Sequence, residues 1–396
     1  MGRRLSVLVV GLVLAVSGCA AQSELPANLS GADDHSSGHP TATTSASSPA
    51  KAVPAVALRD GERFQDIQLP AEYTPQSPTP GGTDDYRCFL VDPGFDTDLL
   101  VSGVEVEPDN AAIVHHVIVS KVEPEQLAQA RTLDAEDPGD GWTCFGGSML
   151  TSTSPGGNLD QADWVAAWAP GGGERVMADD IGIPLAAGSQ LVVQMHYNLL
   201  GGSGSDRSTV RLRLSEAAGS DKQALETMLL PAPVELPCRG NRTKGMCSRA
   251  VSVADIKDRF GKDPATADLL HLLCGPLEPG PVQECTRPIR EAGTIRAVSG
   301  HMHLLGRAIT VDVNKGTPEA RRLLDLPVWN FDDQGSIPLE TPAVVGPGDT
   351  VTVTCTHDQS LRDSLPAFEG QPDRYVAWGE GTTDEMCLGI VLMTRP

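Results

Sequence analysis

The sequence predicts a mostly β chain built as sandwiches or barrels, and three observations carry that expectation. Residues 209–214 alternate Val210, Leu212 and Leu214 with Arg211 and Arg213, the period-2 pattern of a half-buried strand. Residues 112–119, 190–197, 294–304, 308–313, 350–356 and 388–393 have a similar β-rich composition, punctuated by clusters such as Pro170-Gly171-Gly172-Gly173 and Gly346-Pro347-Gly348. Helical periodicity is convincing in one region only, residues 253–273, with a break at 261–264. Short strands joined by Gly/Pro turns argue against a parallel α/β sheet.

Taken in chain order, residues 1–18 read as a lipoprotein signal peptide. Arg3 and Arg4 precede an apolar run, Val7 to Val16, that is too short to span a membrane as a stable helix. Val16-Ser17-Gly18-Cys19 has the form of a bacterial lipobox, which makes Cys19 the expected lipidation site; the alternative is an ordinary secretory signal beside a chance cysteine. Either way the chain is exported, and the first reading anchors it to the membrane at the bacterial cell envelope. Residues 19–58 are rich in Ser, Thr, Ala and Pro with almost no large apolar side chains, so they read as a flexible tether. His35 and His39 fall in it as a chance pair.

The remaining roughly 335 residues suffice for two domains of ordinary size. A boundary is expected near Ala217-Ala218-Gly219-Ser220, giving domains at 59–218 and 219–396. The formal charge of −22 argues against nucleic acid and against a basic membrane-surface patch. Nine cysteines less Cys19 leave eight, an even number that suggests disulfides in an exported chain. Cys238, Cys247, Cys274 and Cys285 surround the helical region; of three connectivities, the nested Cys238–Cys285 and Cys247–Cys274 would staple a helical hairpin. No phosphate-binding loop, dinucleotide fingerprint, His-Glu-x-x-His or Gly-x-Ser-x-Gly is present, so NTPase, zincin and serine-hydrolase chemistries lack their residues.

Four strings carry metal-type donors: Val114-His115-His116-Val117, Gln194-Met195-His196-Tyr197, His301-Met302-His303 and Asp384-Glu385-Met386-Cys387. On a strand, His301 and His303 would share a face. Met386 offers a soft thioether that favours Cu(I), although a methionine before the apolar residues 388–393 is also ordinary core packing. His115 and His116 would face opposite sides of a regular strand, one buried and one exposed, and can meet at one ion only if the chain is bulged or strongly twisted there. His271, in Leu269-Leu270-His271-Leu272-Leu273, reads as a helix position, and His357 as a turn residue.

In this order, the strings resemble the copper type II, ascorbate-dependent monooxygenases, the family of peptidylglycine α-hydroxylating monooxygenase and dopamine β-monooxygenase. The resemblance runs from Cys88 to Met393 and is poor in the helical region, which looks like an insertion. It implies two antiparallel β-sandwich domains of jelly-roll type, the second carrying the small disulfide-stapled helical insertion. It also implies two separated copper ions. The first, on His115, His116 and His196, would store and deliver an electron. The second, on His301, His303 and Met386, would bind dioxygen and carry the C–H chemistry. Cys88–Cys144 and Cys355–Cys387 match bridges of the family.

The resemblance further implies a small-molecule substrate, O2 and an ascorbate-like one-electron reductant. Ser299 stands where the peptide-amidating enzymes have the arginine that holds the substrate carboxylate, and Ile390 where they have a tyrosine, which puts a peptidylglycine substrate in doubt. The expected function is therefore copper-dependent hydroxylation of a C–H bond of an unidentified small substrate. The rival is a non-catalytic envelope copper-binding lipoprotein for scavenging or buffering, which would use the same ligands.

Overall fold

The computed structural model describes residues 56–78, 82–151, 161–170, 172–260, 266–275 and 278–396. The signal peptide, Cys19, nearly all of the tether and the helix break at 261–264 lie outside the described residues. Among the described residues no helix is long and apolar enough to cross a membrane.

Strands dominate, and they stack as sandwiches. In the first half, one face is formed by Arg63–Gln68, Thr209–Glu216, Leu99–Glu107 and Ile181–Leu185, hydrogen-bonded in that order. The other face runs Trp142–Thr143, Asp84–Val91, Gln190–Asn198, Val114–Val122 and Trp164–Trp168. Ile67, Leu99 and Leu212 from the first face meet Phe89, Val117 and Val193 from the second in one apolar core. The second half repeats the plan. Gln223–Pro231, Leu388–Thr394, Gly293–His301 and Ile337–Val345 face Val282–Pro288, Thr350–His357, Gly306–Val313 and Arg321–Leu326. Leu230, Val298 and Val391 pack there against Ile309, Val311 and Val353.

The halves are not separate sheets. Gln223–Pro231 pairs parallel with Ile181–Leu185, so the first faces of both sandwiches join edge to edge in one ten-stranded sheet. The same strand also pairs antiparallel with Gln161–Ala162. Residues 51–396 accordingly cluster as one compact unit.

Helices Arg249–Phe260 and Thr266–Cys274 occupy the region whose periodicity is helical, and Val253, Ile256, Ala267 and Leu270 anchor them in the second core. A further helix, Leu127–Glu136, gives little sequence signal, because its core-facing stripe is only Leu127, Ala130 and Leu133, of which Ala130 alone is fully buried.

Three expectations are corrected. The insertion cysteines pair in sequence, Cys238–Cys247 and Cys274–Cys285, with Cα atoms 5.5 and 5.1 Å apart, and not nested as Cys238–Cys285 and Cys247–Cys274. Each bridge closes a short loop at one end of the helical pair, so the helices are held by their core contacts and not by a staple between them. Arg213, placed on a polar strand face by its alternation, is fully buried. Its guanidinium lies 3.0 Å from Glu62 and 2.7 Å from Glu174 and donates to the carbonyls of Val56 and Ala57. Finally, the strand carrying His301 stops there, and His303 lies in the turn that follows. Cys88–Cys144 and Cys355–Cys387 are also bridged.

Candidate metal centre

A β-bulge brings the first histidine set together. Val114–Val122 and Gln190–Asn198 pair with His116 opposite His196 and Val114 opposite Tyr197, so His115 is the extra residue. The bulge turns a side chain that would point away back to the same face. The three Nδ1 atoms then stand 3.1 Å (His115–His196), 3.1 Å (His116–His196) and 3.3 Å (His115–His116) apart. A triangle of that size suits one ion at the ~2.0–2.1 Å typical of metal–imidazole bonds.

Protonation favours ligation. His196 Nε2 lies 2.8 Å from Asp84 Oδ1. Burial opposes the charge of Asp84, but the hydrogen bonds from His196, Thr382 and Thr83 overcome it and hold the carboxyl at about 2. An ionised carboxylate only accepts, so Nε2 carries the proton and Nδ1 presents its lone pair to the triangle. Burial, then the neighbouring imidazoles, pushes His115 down to about 2 and His116 well below its usual range. Burial also lowers His196, against the pull of Asp84. Neutral imidazoles are the ligating form. The rings are clamped as well: Tyr86 stacks on His196 at 3.9 Å and Phe331 on His115 at 4.5 Å.

The second set surrounds one wall of a cavity of about 920 Å3 between the halves, lined by His301, His303 and Met386 together with His116. The rings of His301 and His303 lie 5.2 Å apart and nearly perpendicular. Among the described residues, His303 Nδ1 is buried with no hydrogen-bond partner. His301 Nδ1 is held 2.5 Å from Gln334 Oε1, and burial brings its imidazole down to about 4. Glu385, fully buried, staples the two strings: its carboxylate accepts from the backbone N–H of His303 (2.9 Å), Leu305 (2.5 Å) and Met386 (3.2 Å). His357 is not a turn residue. It ends a strand, fully buried, with Nε2 3.2 Å from the Met386 carbonyl. His271 is helical and bonds Glu235 at 2.7 Å.

The rings of His116 and His301, one from each set, lie 6.2 Å apart. The residues that sequence reasoning misses are the supporting ones: Asp84, Tyr86, Phe331, Gln334, Thr382 and Glu385. The Asp-Glu of the methionine string is the one hint for Glu385; the others sit in strands and loops with no motif. The donor chemistry of both sets, three imidazoles and two imidazoles with a thioether, fits copper cycling between Cu(I) and Cu(II). Ser299 and Ile390 line the cavity.

Comparisons with known proteins bear on the second half. Residues 281–393 match the family described as copper type II ascorbate-dependent monooxygenase, C-terminal domain. No curated protein matches the chain. Solved structures with a faint likeness include the coconut allergen cocosin (10% identity, 84% of this chain and 85% of that one, TM-score 0.15). Others are the infectious bursal disease virus VP2 subviral particle (8%, 87% and 74%, TM-score 0.19) and procruciferin, an 11S globulin from Brassica napus (9%, 86% and 84%, TM-score 0.15). At these TM-scores the likeness carries no argument.

Proposed function

Because residues 281–393 match the C-terminal domain of the copper type II, ascorbate-dependent monooxygenases, we propose that the chain hydroxylates a C–H bond of a small substrate with O2 and a one-electron reductant. The observation that carries the reading is the triangle of His115, His116 and His196 Nδ1 atoms, built by a bulge and oriented by Asp84.

His115, His116 and His196 would hold one copper, and His301, His303 and Met386 a second. Copper bound there would supply one-electron redox chemistry and activate dioxygen. The protein's own part is positioning. Asp84 fixes the His196 tautomer, Glu385 fixes the backbone between His303 and Met386, and the apolar walls of the cavity would shield part of a bound substrate from water. Cys355–Cys387 holds the residue after Met386 to the neighbouring strand. For the N-terminus, we propose that Cys19 carries a lipid anchor at the bacterial envelope.

The test is a copper titration on the purified chain. Two ions should bind. His301→Ala and Met386→Ala should each remove or weaken one and leave the other, with Met386→Ala weakening Cu(I) more than Cu(II). Saturation by one copper, or a preference for zinc at both sets, would overturn the reading. The copper-buffering alternative becomes the better account if both ions bind and no substrate in a broad screen gains an oxygen.

A further inference from the structure

The cavity that holds the second donor set has walls of Trp164, Trp168, Leu225, Leu229, Ile390 and Leu392, all apolar. Two arginines also reach it, Arg175 and Arg296. Arg296 is occupied, with Nη2 2.7 Å from both oxygens of Asp180. Glu174, another wall residue, is taken up by Arg213 at 2.7 Å. Among the described residues, the Arg175 side chain makes no hydrogen bond and no ion pair; Asp333 acts on it only at longer range. A half-buried guanidinium without a protein partner keeps its donors free for an incoming acceptor, and its partial burial strengthens the hydrogen bonds it would form. Burial disfavours its charge, and Asp333 is what favours it.

The place of this cation matters as much as its vacancy. Arg175 lies on the short strand Arg175–Val176 of the first half, beside Val104. Its Nη2 comes within 3.7 Å of where a side chain on Gly335 would begin. The preceding residue, Gln334, is the one that holds His301 Nδ1. The guanidinium therefore sits one residue away from the contact that orients a proposed ligand, in a cavity where Ser299 offers no charge.

We propose that Arg175 is an anion-binding subsite, and that this cavity takes a small apolar molecule carrying one carboxylate-like group. The inference rests on the reading of this cavity as the reaction site. The guanidinium fork would receive the two oxygens in parallel hydrogen bonds, and the apolar body would lie along the tryptophan and leucine walls toward His301, His303 and Met386. Neutral isosteres would leave the guanidinium unpaired, and cationic ones would be repelled.

Binding of three matched probes to the purified full-length protein tests this: 4-phenylbutanoate, the neutral 4-phenylbutanamide and the cationic 4-phenylbutylamine, measured by calorimetry. The carboxylate should bind about tenfold or more tighter than the amide, with the amine weakest. Arg175→Gln should bring the carboxylate down to the affinity of the amide and leave the amide unchanged, whereas Arg175→Lys should keep part of the preference. Asp333→Asn, at an exposed position, should raise carboxylate affinity by removing a competing charge. Equal binding of carboxylate and amide to the wild type overturns the proposal, as does a preference that survives Arg175→Gln. Copper binding is measured on the same samples. Lost discrimination with both coppers bound sinks only the anion subsite, and intact discrimination without copper sinks only the metal reading.

Discussion

Thr382 donates to Asp84 across 2.5 Å, onto the same carboxylate oxygen that receives His196 Nε2 at 2.8 Å. The two residues are 298 positions apart in the chain. Thr382 lies just before the Asp384-Glu385-Met386-Cys387 string, so the loop leading to the thioether also braces the carboxylate behind a histidine of the other set. Tyr86 adds a parallel strut, its ring on His196 and its hydroxyl donating to the Glu380 carbonyl at 2.7 Å.

This brace sets the first prediction. Asp84→Asn should weaken copper at the three-histidine set by roughly 10–100-fold, the usual effect of losing a carboxylate behind a ligating histidine. Thr382→Val should have a smaller effect in the same direction. Competition titration against a chelator of known affinity measures both. An Asp84→Asn protein with wild-type affinity would remove Asp84 from the account.

The two sets should differ in what their loss does. His196→Ala should reduce multiple turnover while leaving a single turnover of the pre-reduced protein measurable. Met386→Ala should abolish product formation even in a single turnover. Rapid-quench product analysis separates them, once a substrate is in hand. Identical behaviour of the two variants would mean that the sets do not divide the work.

A third prediction concerns acid stability. Burial works against the charge of Glu62, but hydrogen bonds from Ser102, the Arg59 backbone and Arg213 hold its carboxyl at about 2 in the folded protein, against 4.5 for an ordinary glutamate. A depressed carboxyl stabilises the fold above its unfolded value and loses that contribution as pH falls toward its folded value. Glu62→Gln should therefore cost on the order of 2–3 kcal/mol at pH 7, also because Arg213 loses a buried partner. The gap between wild type and variant should shrink steadily below about pH 4.5. Urea unfolding at pH 7 and pH 3 checks it, and a gap that is constant with pH would contradict the assignment.

Removing the Cys355–Cys387 bridge by a double alanine substitution should lower stability by about 4 kcal/mol, as expected for a loop of this length, 32 residues. It should also loosen copper at the methionine set more than at the three-histidine set, because Cys387 adjoins Met386. Thermal unfolding and the same chelator competition report the two effects. Equal loosening of both sets would show a global effect only.

The anchor is checked by mass spectrometry of the mature N-terminus, where a diacylglycerol on Cys19 is the expected mass. Cys19→Ser should release the protein from the membrane fraction. An unmodified N-terminus within the tether would show plain secretion.

How much of this was legible in the sequence depends on how local each feature is. The strands are written in short-range alternation and turn residues, so residues 209–214 and 388–393 announce themselves. The bulge at His115 was legible only as a condition: two adjacent histidines need it, but nothing in Val114-His115-His116-Val117 requires it. Its cause is the pairing with Tyr197 and His196, some 80 residues away. Arg213 shows the limit of alternation, since its position reads as solvent-facing until Glu62 and Glu174 arrive from elsewhere to neutralise it. Asp84, Gln334 and Thr382 are ordinary polar residues whose role exists only through a partner distant in the chain. The nested pairing expected for the insertion cysteines fails for a related reason: spacing alone does not say which end of a helical pair a bridge closes.

The pairing of Val114–Val122 with Gln190–Asn198 has a consequence for the order of events in folding. The histidine triangle joins residues 81 positions apart, and closing so long a loop is slow and entropically opposed until the sheet forms around it. No local segment holds more than two of the three imidazoles, and without the bulge even His115 and His116 diverge. An unfolded or half-folded chain thus offers copper no three-imidazole site. Loading should follow folding and not guide it, and the kinetics of copper uptake during refolding should lag behind the recovery of sheet structure.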